Sequence, residues 1–164
     1  MGIGSSLIYA PGDYADTEEL IALNKVVSKY NGMYISHIRN EDYRVMEALE
    51  EFITIAKEAK LPAEVYHLKA SRKPNWHLLD SIIQRIESAR ENGLNITADM
   101  YTYPASSTGL TGVIPTWVQE GGHEAYWTIT GDGNTVIGYQ AGIFASGSSN
   151  QNVYLGYQAG PTAS

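Results

Sequence analysis

The chain has 164 residues, 43% of them hydrophobic and 18% charged, enough for one ordinary domain with an apolar core. Lys and Arg number 11 against 18 Asp and Glu, and the net charge of -7 disfavours nucleic acid and anionic lipid surfaces as partners. With Cys at 0, disulfides, thiolate zinc sites and a thiol nucleophile are all excluded. The opening Met1 to Tyr9 carries no Lys or Arg, and no apolar run is long enough to span a bilayer, so a soluble cytoplasmic product is the expectation.

Two unlike pieces follow one another. Helical and strand patterns alternate up to about residue 125, whereas 126–164 holds a single charged side chain, Asp132, among Gly, Ser, Asn and Gln. In the first piece, Asp16 followed by Glu19 reads as a capping box that opens a helix running to Tyr30, with Leu20, Leu23, Val27 and Tyr30 at helical spacing. Gly32 is placed to end it in a left-handed conformation, and residues 33–38 have the composition of a strand. Val45, Met46, Leu49, Phe52, Ile53 and Ala56 form the next apolar stripe, stopped by Pro62 before a strand over 63–68. Glu47, Glu50, Glu51, Lys57 and Glu58 read as its solvated face. Pro74 suits the first turn of a third helix carrying Leu78, Leu79, Ile82, Ile83, Ile86 and Ala89, which ends at Gly93 before a strand over 95–100. Repeats of roughly 30 residues are those of parallel strands joined by helical crossovers, so the fold class is α/β with a parallel sheet.

His37 and His67 fall late in consecutive strands, at the end of the sheet where α/β folds carry their sites. Period-two alternation puts His37 on the face of Met33 and Ile35, and His67 on the face of Val65. Two neutral imidazoles aimed into one cavity suit a divalent metal; hydrogen-bonded residues at strand ends are the alternative. A catalytic zinc normally takes three protein ligands, so two histidines are an incomplete set. Arg39, Asn40 and Glu41 follow His37 in a strand-to-helix loop and brace the mouth of the site, around a metal or as ordinary loop hydrogen bonds. His77 and His123 have no companion at ligand spacing and read as surface residues.

The segments Leu7-Ile8-Tyr9-Ala10-Pro11-Gly12, Tyr14-Ala15-Asp16-Thr17-Glu18-Glu19-Leu20 and Ser36-His37-Ile38-Arg39-Asn40-Glu41 resemble the N-acyl-D-amino-acid deacylases of the amidohydrolase superfamily. So do His67-Leu68-Lys69, Pro74-Asn75-Trp76, Thr97-Ala98-Asp99-Met100-Tyr101 and Ser106-Ser107-Thr108-Gly109-Leu110, and the resemblance ends near Gly122. It implies a partial (β/α)8 barrel over residues 1–125, zinc as cofactor with His37 and His67 as ligands, and a small-molecule N-acyl-D-amino acid as substrate. Lys69, Tyr101, Ser107 and Thr108 match positions that line the family's substrate pocket. A fixed cation such as Lys69 suits a substrate carboxylate. The family's His-x-His pair, bridging cysteine and catalytic aspartate have no counterpart here, so the resemblance assigns no catalytic residue and implies an enzyme piece that is inactive alone. Asp132, in a Gly-Asp-Gly turn of the other piece, is not a candidate for the missing acid.

Residues 134–142 are echoed at 152–160, an offset of 18 positions in which Gly-Tyr-Gln-Ala-Gly recurs unchanged. Short apolar triplets between Gly and Asn turns suit one strand per coil of a solenoid. The unit resembles repeats of trimeric adhesin heads and phage tail fibres, which implies a homo-oligomer formed through the tail. The alternative function is therefore a trimerising β-repeat module fused to a non-functional enzyme piece, with a frame junction near Glu124 to Trp127.

Overall fold

The computed structural model describes residues 1–102, 105, 107, 108, 112, 115–119, 135–137 and 153–155. Its contacts divide the chain into two units, Met1–Gly112 and Val113–Ser164. The boundary expected at 125/126, the junction near Glu124, and His123 all lie outside the described residues.

The first unit is a four-stranded, wholly parallel sheet in the order β1-β2-β3-β4, with one helix between each pair of strands. The strands are β1 (Ile3–Ser6), β2 (Tyr34–His37), β3 (Ala63–Val65) and β4 (Ile96–Ala98); the helices are α1 (Thr17–Ser28), α2 (Val45–Ala59) and α3 (Leu79–Glu91). Sequential parallel pairing with helical crossovers is the construction of a (β/α) barrel arc. Strand β1, with the sequence Ile-Gly-Ser-Ser, carries too little β-branched or aromatic character to stand out in the sequence. Its pairing with β2, Ile3 opposite Tyr34 through Ser6 opposite His37, makes it a strand.

Alternation sorts the sheet into two faces. Tyr34, Ser36, Ala63, Val65 and Ile96 are buried against the helices, which contribute Val45, Leu49, Phe52, Ile55, Ala56 and Ile82. Phe52 stacks on Tyr34 with ring centroids 5.5 Å apart. Ile35, His37, Glu64 and Thr97 belong to the other face, where Thr97 donates a hydrogen bond to Glu64. A buried parallel strand is usually apolar on both faces; here the second face is polar, as the inside of a barrel end that carries a site would be.

The helix limits correct several expectations. The Asp16 carboxylate accepts from the Glu19 backbone N–H and caps α1, but the helix stops at Ser28 and leaves Leu23 and Tyr30 exposed. The left-handed residue after it is Asn31, not Gly32. Gly32 is needed for space, since a Cβ there would meet Val27 at 2.5 Å and the Met1 carbonyl oxygen at 2.7 Å. Helix α2 ends at Lys60 in the left-handed region, two residues before Pro62, which instead accepts the Tyr34 N–H. Pro74 begins a 3-10 turn, Lys73–Leu78, that leads into α3, and Gly93 closes α3 at φ 86° as expected. Glu51 is not on the solvated face: it takes hydrogen bonds from Thr17 and from Arg39, whose guanidinium also reaches the carbonyls of Asp13 and Ala15.

In the second unit, β5 (Thr135–Ile137) and β6 (Val153–Leu155) pair in parallel, Thr135 opposite Val153. Partners 18 residues apart are one sequence repeat apart. Among the described residues no helix is long and apolar enough to cross a membrane.

Truncating Phe52 to Ala should cost about 3–5 kcal/mol by removing the ring that Tyr34 stacks on, whereas Asp16→Ala, which loses only the cap, should cost about 1 kcal/mol. Urea unfolding followed by circular dichroism ranks the two; equal losses would contradict the packing described.

Candidate metal centre

Parallel register sets the carboxyl ends of β2 and β3 side by side, and the chain leaves each strand there with a polar group. His37 closes β2 and keeps the face of Ile35. His67 reaches the same point by another route than alternation, because β3 ends at Val65, whose side chain is fully buried on the opposite, helix-covered face. Tyr66 still donates to the Ser36 carbonyl, and His67 then turns to φ 39°. Its backbone N–H is taken by the Asp99 carboxylate just beyond β4, while the neighbouring Leu68 N–H goes to the Asp99 carbonyl. A left-handed residue off the ladder, pinned by Asp99, is what swings the imidazole toward His37.

The two rings meet edge to face with centroids 4.4 Å apart. Aromatic walls fix them: Tyr9 lies edge-on to His37, and both Tyr66 and Tyr101 stack on His67. Glu41, from the loop after β2, completes the group with a buried carboxylate. Its Oε2 is 3.4 Å from His37 Nε2, and its Oε1 is 3.0 Å from His67 Nδ1 and 2.6 Å from Lys69 Nζ. The loop is shaped for this placement. Asn40 Oδ1 accepts from the N–H groups of Asp42 and Arg44, and the Glu41 carbonyl accepts from Ser71 in the loop after β3. Asn75 ties the two loops together by donating to Asp42 and to the Ser71 carbonyl.

Of the three loop residues Arg39, Asn40 and Glu41, then, Arg39 and Asn40 hold the loop and Glu41 enters the site. Glu41 stands four positions after His37 in a loop without helical period, so no spacing rule marks it. Asp99 likewise gives no sign in the sequence of reaching His67. Tyr101 stacks on His67, and its ring centroid is 5.0 Å from Lys69 Nζ. Thr108 is exposed and hydrogen-bonds the Tyr9 hydroxyl, one side chain away from His37; Ser107 is exposed. His77 is exposed, its Nδ1 hydrogen-bonded to the Pro74 carbonyl.

His37, Glu41 and His67 offer three ligand atoms within 4.8 Å of one another. Atoms about 2.0–2.2 Å from a tetrahedral zinc lie about 3.3 Å apart; His37 Nε2 and His67 Nδ1 stand near that separation, 3.4 and 3.0 Å, each from a different oxygen of Glu41. His37 Nε2 is buried with no hydrogen-bond partner, an orphaned donor atom facing the carboxylate. Two imidazoles and a carboxylate are a known zinc set, and these residues fit a divalent ion.

Charge is balanced without one. Burial pushes the Glu41 carboxyl up, but the pull of the His37 ring and the Lys69 ammonium outweighs it, and the group sits below its ordinary range. Burial and the Lys69 charge push His67 down, against the opposite pull of Glu41. Both shifts act in one direction with pH. Below about 6.5 the unfolded chain takes the His67 proton that the folded site resists, and below about 4.3 it takes the Glu41 proton, a loss completed at the lowered folded value.

A parallel β/α arc with a polar cluster at the carboxyl ends of its strands has the cluster where (β/α) barrel enzymes carry their sites. An N-acyl-D-glutamate deacylase of Alcaligenes xylosoxydans xylosoxydans is 32% identical over 110 residues, 67% of this chain and 22% of that protein. A D-aminoacylase of the same organism is 33% identical with the same coverage. The crystal structure of N-acyl-D-glutamate deacylase from Bordetella bronchiseptica, complexed with zinc and a phosphonate mimic of the tetrahedral intermediate, matches with a TM-score of 0.61 at 36% identity, over 63% of this chain and 22% of that one. A D-aminoacylase structure matches with a TM-score of 0.59 at 30% identity, over 62% of this chain and 21% of that one. No family model matches. Sequence and fold together support the N-acyl-D-amino-acid deacylase family for this part of the chain, which spans about a fifth of the length of the curated relatives it matches.

Denaturant unfolding of the metal-free chain should therefore show stability falling in two windows on acidification, the upper below about 6.5 and the lower below about 4.3. Glu41→Gln should abolish the lower window and keep the upper; a lower window of unchanged size would show that Glu41 is not the group responsible.

Proposed function

We propose that residues 1–112 are a metal-binding segment of a zinc-dependent hydrolase that cleaves the amide of N-acyl-D-amino acids. The observation that carries this is the convergence of His37, His67 and Glu41 at the carboxyl ends of adjacent parallel strands, in a segment similar to deacylases. His37 Nε2, His67 Nδ1 and Glu41 would hold the ion. When bound there, zinc supplies a Lewis acid for a carbonyl oxygen and a water acidic enough to attack it.

The chain's own residues position and select. Glu41 stands between the two imidazoles, one oxygen near His37 Nε2 and the other near His67 Nδ1. Asp99 holds the His67 backbone in its left-handed turn, and Tyr9, Tyr66 and Tyr101 stop the rings from rotating away. Lys69 offers the cation that a substrate carboxylate needs, with Tyr101 beside it, while Thr108 acts through Tyr9 and Ser107 is available from the exposed loop. The family's His-x-His pair, bridging cysteine and catalytic aspartate have no counterpart in the sequence, so this chain by itself is proposed to bind metal without turnover.

A second reading is favoured by one observation in the other unit: strands β5 and β6 pair one sequence repeat apart. That supports a coil-on-coil module in Val113–Ser164 that would oligomerise the chain. Sedimentation of the full chain against one ending at Gly112 tests it, with an unchanged association state ruling it out.

The main reading is tested by calorimetric zinc titration. One zinc per chain should bind, and binding should drop at least about tenfold in His37→Ala and in His67→Ala, with His77→Ala unchanged. Free D-glutamate released from N-acetyl-D-glutamate by the zinc-loaded chain would contradict the proposed lack of turnover.

A further inference from the structure

The Lys69 ammonium stands at the point that two of the three donor atoms share. Its Nζ donates to Glu41 Oε1 at 2.6 Å, to His67 Nδ1 at 2.8 Å and to the His67 carbonyl at 3.2 Å. An ammonium has donors only, so the Nδ1 lone pair faces it, and the His67 ring proton sits on Nε2. Those are the lone pairs a divalent ion would use. The third donor atom is left out: His37 Nε2 is buried, makes no hydrogen bond, and has its nearest carboxylate oxygen at 3.4 Å. The ammonium thus satisfies two of the three donor atoms and leaves the third without a partner.

We infer that Lys69 is an internal counter-cation of the His37-Glu41-His67 group, and that a divalent ion binds there only by displacing its ammonium from Glu41 and His67. The inference rests on the metal reading above. Two cations cannot share Glu41 Oε1 and His67 Nδ1 without close repulsion in a poorly hydrated site. The displaced head has a place to go, because Nζ already lies 5.0 Å from the centroid of the Tyr101 ring, and a short swing about the lysine stem leaves it over that aromatic face. Zinc affinity is then set by competition inside the chain: the donor set is preformed, but its affinity is lowered by the lysine that keeps the carboxylate neutralised in the ion's absence. A displaced Lys69 is also free to meet a substrate carboxylate, so metal and an acidic ligand would each raise the other's affinity.

Calorimetric zinc titration of the full metal-free chain and of Lys69→Met tests this. The variant keeps the apolar stem and removes the competing charge, so it should bind zinc at least about tenfold more tightly than the unmodified chain. A second measurement needs no substitution, which matters because Lys69→Met leaves Glu41 without its ammonium. In lysine-selective NMR of the unmodified chain, the hydrogen-bonded Lys69 ammonium signal should be present without zinc and lost as zinc saturates the site. Equal or weaker binding by Lys69→Met, or an ammonium signal that persists in the zinc-saturated chain, would overturn the displacement while leaving the metal reading intact. Absence of zinc binding in both proteins would overturn both.

Discussion

A carboxylate removed from water stays charged only where cations or strong donors surround it, and the first unit is organised around one such group, Glu41. Lys69 bonds it directly and the His37 and His67 rings flank it, and these come from the ends of two different strands and the loops beyond them. None of these contacts forms unless β2 and β3 are parallel and in register. The site and the sheet therefore depend on one another: the ladder aligns the strand ends, and the Glu41 charge keeps the loops drawn together over them.

The architecture divides the work between two faces of the sheet. The helix-covered face holds Tyr34, Val65, Phe52 and the aliphatic residues around them, and supplies the burial that stabilises the arc. The other face is polar and leads to the site. His67 is where the two demands conflict, since a residue continuing β3 two positions after Val65 would point into the apolar layer. The backbone leaves the ladder at that position, and Asp99 takes up the freed N–H. A left-handed residue held from beyond the neighbouring strand lets one short segment both bury Val65 and turn His67 toward His37.

Much of this was legible in the sequence, for reasons that differ by element. Helices α2 and α3 announce themselves through apolar residues at helical spacing, and the Asp16 cap and the Gly93 terminus follow from local backbone chemistry that no tertiary contact overrides. The meeting of His37 and His67 was legible because strand order alone brings consecutive strand ends together. Alternation misplaced His67, since the period fails where the strand stops early. Strand β1 was hidden because only its pairing with β2 makes Ile-Gly-Ser-Ser a strand. Asn31 took the left-handed position that Gly32 suggested, because packing against Val27 and Met1 requires glycine for space one residue further on, and α2 ends at a left-handed Lys60 before the proline. Glu41 and Asp99 joined the site through loop geometry, which has no period to read, and Glu51 left the solvated face because Arg39 and Thr17 reach it across the fold.

In the proposed centre, one bound ion is shared by imidazoles thirty positions apart in the chain. Following the four histidine side chains by nitrogen-edited NMR while zinc is added to the metal-free protein tests it directly. The His37 and His67 signals should shift together over one range of zinc concentration, with that of His77 unmoved. Separate responses from the two rings, or a response from His77 in their place, would contradict a common centre.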